Sequence, residues 1–531
     1  MGTAHDYLGA ILRRGRVPME PFGFEPDWND RPRYTKYYPD AERVALPIDG
    51  TSADGASETF SLPLLADLLR HSYGLLGRRL APHANTDLSG LPNYAHANWW
   101  RGTASGGGLY PVSVYWATGP SGPLLPGLYH YSPPHHELRR LLTGDVTAEV
   151  RAALGDAPGA ADTDQYLILG VKFWQNAFKY NSFSYHAVTM DVGTVLQTWR
   201  MLVGDSGPAV EPLLWFDDER LGDLLGVEPE QEGAFAVVPL PWATPEPSDA
   251  VSDAVSDAVS GAVSGGAHPP RVRVADRERS RTVLTFDTVT RLHRATLTGT
   301  DRPAPAALKS AAAAPPVAGR AAVDLPPLTP SAMTVRAALR ARRSSFGRFC
   351  ATEPTTAAEL GAVLAAAADA AAFRCDLSEP GAGLELTKLY VFANHVDDVP
   401  PGAYEFDPAG HRLLRISEGA PGAFLQPTYF LENYNLEQAG AVIVPALRAA
   451  SVLDAVGDRG YRVTNAVAGA VAEAGYVAAA AVGLGCGVAL GFDNPAYTEE
   501  LGLAGTGEAP LLIMMIGHER ARHADYRYEI G

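Results

Sequence analysis

Hydrophobic and polar positions along the chain fall into two successive series with the same order of elements. Each series opens on a helix-period segment, PLLADLLRHSYG from Pro63 and MTVRAALRARRSS from Met333. A strand pattern follows, PVSVYWAT from Pro111 and LTKLYVFAN from Leu386, then a hairpin about a Pro-Gly turn. A second apolar strand comes next, YLILGVKF from Tyr166 or AGAVIVPAL from Ala439. The long segments Tyr185 to Val203 and Val463 to Val482 are apolar nearly all round, which predicts helices buried between two domains or subunits. Each series closes on a strand into Phe-Asp (WFDD, GFDN), a short helix ending Leu-Gly and a last strand, AFAVVPLP or LLIMMIGH.

The likeness extends to register. GGGLYPVSVY from Gly106 and GAGLELTKLY from Gly381 lie 275 positions apart, as do PGLYHYSPPHHEL from Pro126 and PGAYEFDPAGHRL from Pro401. YHAVTMDVG from Tyr185 matches YRVTNAVAG from Tyr461, and Phe216-Asp217 matches Phe492-Asp493, at 276. A near-constant offset over separated segments reads as an internal duplication, with a period far too long for a solenoid. The organisation predicted is an arm (1–59), a first domain (60–243), a linker region (244–330) and a second domain (331–531). The SDAV repeats between Thr244 and Pro270 carry side chains too small to offset the entropy of ordering, so a flexible linker is expected there. RTVLTFDTVTRLHRATL from Arg281 reads as one or two strands of open allegiance.

Composition narrows the function. With 46% apolar and 19% charged residues a sizeable core can form, and a net charge of −17 argues against a nucleic-acid binder. It leaves room for a local cationic patch around a small anionic cofactor. Three scattered cysteines, Cys350, Cys375 and Cys486, form neither a disulfide framework nor a Cys-x-x-Cys pair. The N-terminus lacks the apolar core of a signal peptide, and the apolar run Tyr476 to Phe492 reads as a buried helix entering a strand. A cytoplasmic protein without membrane spans is therefore expected.

Several segments carry chemistry. Arg342-Arg343-Ser344 offers forked guanidinium donors beside a hydroxyl, the functional groups that grip a phosphate. Arg70-His71-Ser72 repeats the pattern in the first domain. Ser105-Gly106-Gly107-Gly108-Leu109-Tyr110-Pro111 lets backbone approach a flat ring closely. Lys179-Tyr180, just upstream of the first long helix, supplies a base or proton relay. His130, His135 and His136 cluster in a hairpin, but His136 recurs as His411 in the matching turn, so they read as structural and no metal is expected. Gly483-x-Gly485-x-Gly487 follows a helix rather than opening one, which excludes a dinucleotide loop. Asn98-Trp99-Trp100-Arg101 either lines an entrance or packs in the core. Phe424, Tyr429, Phe430 and Tyr434 either cap a site or fill an interface.

These segments together resemble the nitroreductase-like flavoproteins, and among them the SagB-type, or McbC-like, azoline dehydrogenases of ribosomal peptide pathways. The likeness rests on residues 37–47, 68–74, 105–111, 179–180 and 342–349. It implies an α+β fold of two tandem nitroreductase-like domains, each a mostly antiparallel sheet flanked by helices, joined as an intramolecular pseudo-dimer. It also implies FMN held by Arg342, Arg343, Ser344, Leu490, Gly491 and Arg520 of the second domain, facing Ser105, Gly106, Gly107, Leu109, Tyr110 and Pro111 of the first. Lys179 and Tyr180 are then the catalytic pair. At the equivalent positions the second domain has Pro380, Glu385 and Leu386 in the loop, and Ala455 and Val456 for the pair. Glu385 beside an anionic cofactor is repulsive, so one flavin per chain is expected, although Arg70-His71-Ser72 could still hold a phosphate.

The activity implied is oxidation of thiazolines or oxazolines to thiazoles or oxazoles. The substrate is then an azoline-containing precursor peptide, and a YcaO-type cyclodehydratase a candidate partner. Two alternatives share these residues: a general NAD(P)H-dependent nitro or quinone reductase, and a non-catalytic peptide-docking scaffold.

Overall fold

The two hydrophobic series fold into two sheets of the same strand order. In this computed structural model, residues 2–48, 57–80, 97–243, 269–521 and 526–530 are described. The first sheet runs Glu42–Ala45, Glu137–Thr143, Gly127–Ser132, Val112–Thr118, Gln165–Lys172, Glu232–Pro239, every neighbour antiparallel. The second runs Ala322–Asp324, Arg412–Glu418, Gly402–Asp407, Thr387–Ala393, Ala441–Leu447, Ile513–Gly517, with Gly485–Ala489 added beyond Ile513–Gly517, again antiparallel throughout. The architecture is α+β, two tandem domains, as the sequence implied.

The helices Ser184–Val203 and Gly460–Ala481 form the spine between the domains. Their crossing is backbone to backbone. A Cβ on Gly193 would stand 1.9 Å from the Ala466 carbonyl oxygen, and one on Gly469 would stand 2.0 Å from that of Met190. These two glycines occupy equivalent positions of the two domains, so the closest approach lies on the pseudo-twofold axis. Polar pairing locks the same seam. Asp218 of the first domain pairs with Arg459 and, at 2.9 Å, with Arg462 of the second, all three buried. Lone buried charges would cost several kcal/mol, so such groups are stable there only as a hydrogen-bonded set.

The segments preceding each domain touch both: Glu42–Ala45 and Ala322–Asp324 join the sheets of their own domains, and other parts reach across. The arm helix Thr3–Arg13 leads into the first domain yet docks on the second: the Ala4 amide donates to Asp458 (2.9 Å), and Arg16 beyond the helix pairs with Asp493 (3.1 Å). The linker region from residue 269 is likewise built into the fold. Asp287–Ala295 is a helix, not the strands expected from RTVLTFDTVTRLHRATL, because Val289, Leu292 and His293 fall at helical spacing and bury against the first domain. His293 stacks on Phe235 (5.7 Å), and the Thr296 hydroxyl meets that of Tyr185 (2.9 Å). The expectation of a flexible linker over 244–330 is thus narrowed; the SDAV repeats themselves lie outside the described residues.

Candidate active site in the seam

The Gly-rich loop joins the strand Ala97–Trp100 to Val112–Thr118 through a left-handed turn. Gly107 and Gly108 have φ of 65° and 67°, and Tyr110 has φ of 52°. A carboxylate from each long helix fastens it. Asp191 accepts from the Ser105 hydroxyl (2.6 Å) and the Gly106 amide (2.9 Å); Glu473 accepts from the Ala104 amide (3.0 Å). Burial pushes the Asp191 carboxyl up to about 7, against the pull of the Ser105 and Gly106 donors, and Glu473 pushes the same way as burial. Ser105 Oγ in turn accepts from the Tyr110 amide (2.8 Å). Gly107 and Gly108 are exposed, and a Cβ on Gly108 would meet nothing within 4 Å.

Lys179 and Tyr180 stand on this loop. They end the short helix Trp174–Tyr180, which Asn181 breaks with φ of 42°. A Cβ on Gly107 would lie 2.4 Å from the Tyr180 hydroxyl and 3.1 Å from Lys179 Nζ, so only glycine admits the pair. Lys179 Nζ lies 4.7 Å from the Tyr180 ring centre and 5.8 Å from that of the arm residue Trp28. The second domain closes the other side. Arg14 of the arm lies flat over Phe183 (3.7 Å), whose ring meets Tyr180 edge-on at 6.1 Å, and donates to the Leu490 carbonyl (2.8 Å). The Gly491 carbonyl accepts from Phe430 (2.9 Å), and Arg14 Nη2 would be 3.7 Å from a Cβ on Gly491. Ser105, Gly106, Gly107, Lys179, Tyr180, Leu490 and Gly491 are thus gathered in one seam.

The remaining expected residues divide by position. Leu109 and Tyr110 are buried, Tyr110 meeting both Tyr73 and the Arg101 guanidinium, which lies over both rings, and the Pro111 carbonyl accepts from the Lys172 amide; these three anchor the loop. Arg342 is buried and donates to the carbonyls of Gly102 (2.8 Å), Arg101 and Thr103 (both 3.3 Å), clasping the strand that leads into the loop. Ser344 meets the Tyr476 hydroxyl (2.8 Å) and Arg343 pairs with Glu519. The Arg520 amide donates to the Arg348 carbonyl (2.8 Å), which sets Arg520 beside that turn.

Arg14, Asp191, Glu473 and a further cation, Arg79, were not singled out in the sequence. Arg79 donates to the Arg342 carbonyl (2.7 Å) and lies 4.8 Å over Trp100. Burial, then the neighbouring Arg342, Arg343 and Arg527 charges, lower its pKa to about 9. Among the described residues no carboxylate pairs with it. In GRRL no motif marks it; only the pairing of its strand with Ala97–Trp100 and Arg527–Glu529 carries it to the seam.

The histidines hold turns. His136 and His411, with φ of 48° and 46°, meet the carbonyls of Pro47 (3.2 Å) and Pro326 (2.9 Å) with Nε2 in matching fashion. His130 is buried, and burial with Lys36 and Arg139 holds its pKa well below the usual value.

Residues 339–518 match the model of the nitroreductase family. A Methanocaldococcus jannaschii protein assigned as a nitroreductase is 29% identical over 179 residues, 34% of this chain and 88% of that protein. The crystal structure of an Anabaena variabilis protein, likewise assigned as a nitroreductase, aligns over 98% of this chain and 100% of its own. Its TM-score of 0.72 at 22% identity shows the same fold across both halves. The Escherichia coli microcin synthetase McbBCD complex aligns over 34% of this chain and 71% of that chain at a TM-score of 0.28, too slight a likeness to bear on function. Among the described residues no helix is long and apolar enough to cross a membrane.

Proposed function

We propose that the protein is an FMN-dependent dehydrogenase that oxidises thiazolines or oxazolines of a precursor peptide to the aromatic azoles. The observation that carries this reading is the contact of Lys179 and Tyr180 with Gly107. It sets a half-buried proton-handling pair against the one loop whose backbone can lie on a flat ring.

The residues suit a flavin. Arg79 has no carboxylate partner among the described residues and donates to the carbonyl of Arg342, and a phosphate beside it would supply the missing counter-charge. Asn176 shares the helix face of Lys179 and Tyr180, is fully buried, and has neither amide atom paired among the described residues, so it can meet a polar ring edge. Bound there, the flavin would accept the hydride equivalent that aromatisation removes. The chain's own part is the proton: Lys179 and Tyr180 take up the proton leaving Cα of the azoline, while Arg14 and Phe183 wall the site from the arm side. Dioxygen is the oxidant that would restore the flavin. The precursor peptide is the substrate partner, with a YcaO-type cyclodehydratase as its supplier.

Co-expression with a precursor and cyclodehydratase, read by mass spectrometry, tests the reading. Wild type should remove about two hydrogens per ring, and Lys179→Ala should stop at the azoline with flavin still bound, a loss of about 100-fold or more in rate. Wild-type thiazole formation by Lys179→Ala would overturn it. Rapid flavin reduction by NAD(P)H with no need for the pair would favour a nitro or quinone reductase, and a colourless protein that takes up no flavin would favour a scaffold.

A further inference from the structure

Resting on the flavin reading for its consequence but not for its geometry, a second inference concerns what holds the Gly-rich loop. We infer that Asp191 is the positioning residue of that loop, setting the height of Gly107 against Lys179 and Tyr180, with Glu473 of the other domain as its counterpart one step upstream. Three observations converge on it.

First, the contacts are consecutive: Glu473 accepts from the amide of Ala104, and Asp191 from the hydroxyl of Ser105 and the amide of Gly106. The residue they lead into, Gly107, is the one that meets the catalytic pair. Second, both carboxyls are buried in places where an acid is costly. Asp191 is 4% exposed and Glu473 is 0% exposed, and no lysine or arginine pairs directly with either among the described residues. Their partners are loop donors, apart from the Thr198 hydroxyl on Glu473, so holding the loop is what the two acids do. Third, neither acid has an equivalent in the other domain. Asp191 corresponds to Val467 and Glu473 to Gln197, so the device exists only where the glycines and the Lys-Tyr pair exist.

A hydrophobic core needs no such acids, and Val467 shows that a valine serves at the equivalent point of the partner helix. An acid at residue 191 instead ties the loop to the helix crossing beside Gly193. Because one tie comes from each domain, the loop takes its working height only when the two domains are seated against each other.

Hydrogen exchange on the full chain tests this directly, paired with flavin titrations using FMN and riboflavin. Asp191→Asn keeps the side-chain shape but presents an amide donor toward two donors. It should speed exchange across residues 104–108 by about tenfold or more while the long helix Ser184–Val203 exchanges as in wild type. Ser105→Ala should give a change of the same direction, and the double variant should fall short of the sum of the two, because both remove the Ser105–Asp191 bond. FMN and riboflavin should weaken by the same factor, since the loop meets the ring and not the phosphate.

Unchanged exchange at 104–108 in both single variants overturns the inference. So does faster exchange along the whole helix, which would mark Asp191 as a general packing residue. If Asp191→Asn does not fold, Ser105→Ala decides alone by the same criterion. A wild-type chain that binds neither flavin, with loop exchange responding as described, leaves the positioning role standing and removes the flavin reading.

Discussion

The chain contains two equivalent seams, one on either side of the pseudo-twofold axis, and they are lined differently. On one side, Arg14 links the Leu490 carbonyl to Phe183, whose ring meets Tyr180, and Gly107 and Gly108 beside Lys179 and Tyr180 are exposed. On the other, the equivalent residues Leu214 and Trp215 are buried and held by Asp376 and by the linker. Asp376 accepts from the amides of Leu214 (2.8 Å) and Trp215 (3.1 Å), and Arg302 binds Asp376 (2.9 Å) and the Trp215 carbonyl (3.1 Å) at once. The linker continues across it: the Ala313 amide donates to the Glu385 carbonyl (2.7 Å), and Arg448 donates to the carbonyls of Ser310 (3.1 Å) and Ala312 (3.3 Å). Ser72, the counterpart of a phosphate-side serine, is fully buried and bonded back to Leu68 (2.6 Å), with Trp199 donating to it (2.9 Å). Identical folds thus give one open seam and one sealed seam, and a few side chains with one linker segment make the difference.

The comparison breaks most completely where the two seams share a wall. Gly193→Ala places a methyl group against the Ala466 carbonyl, an overlap of backbone that no rotamer change relieves. Alanine gains up to about 1 kcal/mol in helix propensity, but overpacking costs about 3 kcal/mol or more here, so the variant is destabilised. Both seams should open together, with loss of cooperative melting and of flavin uptake. Gly222→Ala is the control: its Cβ would have only the Val227 carbonyl oxygen, at 4.0 Å, so melting should hold or rise slightly.

The sealed seam alone is addressed by Arg302→Ala. It strips the guanidinium from Asp376, whose side chain is 0% exposed. The full penalty of a buried unpaired charge is about 3–5 kcal/mol, but burial already raises the Asp376 pKa, and loss of Arg302 raises it further. A raised pKa eases the cost of leaving the charge unpaired, and the two backbone donors stay in place, which limits the expected loss to about 2 kcal/mol. Calorimetry should show a lower melting temperature. Flavin stoichiometry should stay at one per chain, because Glu385, Ala455 and Val456 still lack the chemistry of the open seam. A second equivalent bound by the variant would show that the linker, and not those residues, sets the count.

How much of this could be read in the sequence differs between the two seams. The paired strands and the long apolar helices follow from periodicity and from the 275–276 offset, both local or repeated signals, whereas the expectation that Gly107, Lys179 and Tyr180 face Leu490 and Gly491 came only from the resemblance to nitroreductase-like flavoproteins. The sealed seam was seen only as an absence, in Pro380 and Glu385 replacing serine and tyrosine. What fills it, Arg302, comes from a Pro/Ala-rich stretch with no pattern of its own, and its role exists only through contacts with residues some 75 to 150 positions away. The reach of the arm onto the second domain, through Ala4 and Arg16, was missed for the same reason. Arg342 was legible as a motif but not as a clasp, because its partners are backbone carbonyls, which leave no trace in side-chain identity.

Arg79 sharpens the open seam with the smallest expected effect. Its strand belongs to the first domain, yet the charges that lower its pKa, Arg342, Arg343 and Arg527, belong to the second, in a chain whose net charge is −17. A phosphate between them would turn mutual repulsion into attraction, and its oxygens would accept from guanidinium donors of both domains. Arg79→Ala should then weaken FMN by about tenfold, the worth of one charge-assisted hydrogen bond, while riboflavin, identical in its ring but without the phosphate, binds as to wild type. The loss should shrink in high salt, since the half-buried cluster is only partly shielded from it. If FMN and riboflavin weaken equally, Arg79 acts through its bond to the Arg342 carbonyl and its packing on Trp100, and the cation cluster belongs to the domain interface. If only FMN weakens, the two domains share the phosphate as they share the loop, and the open seam needs both halves at each end.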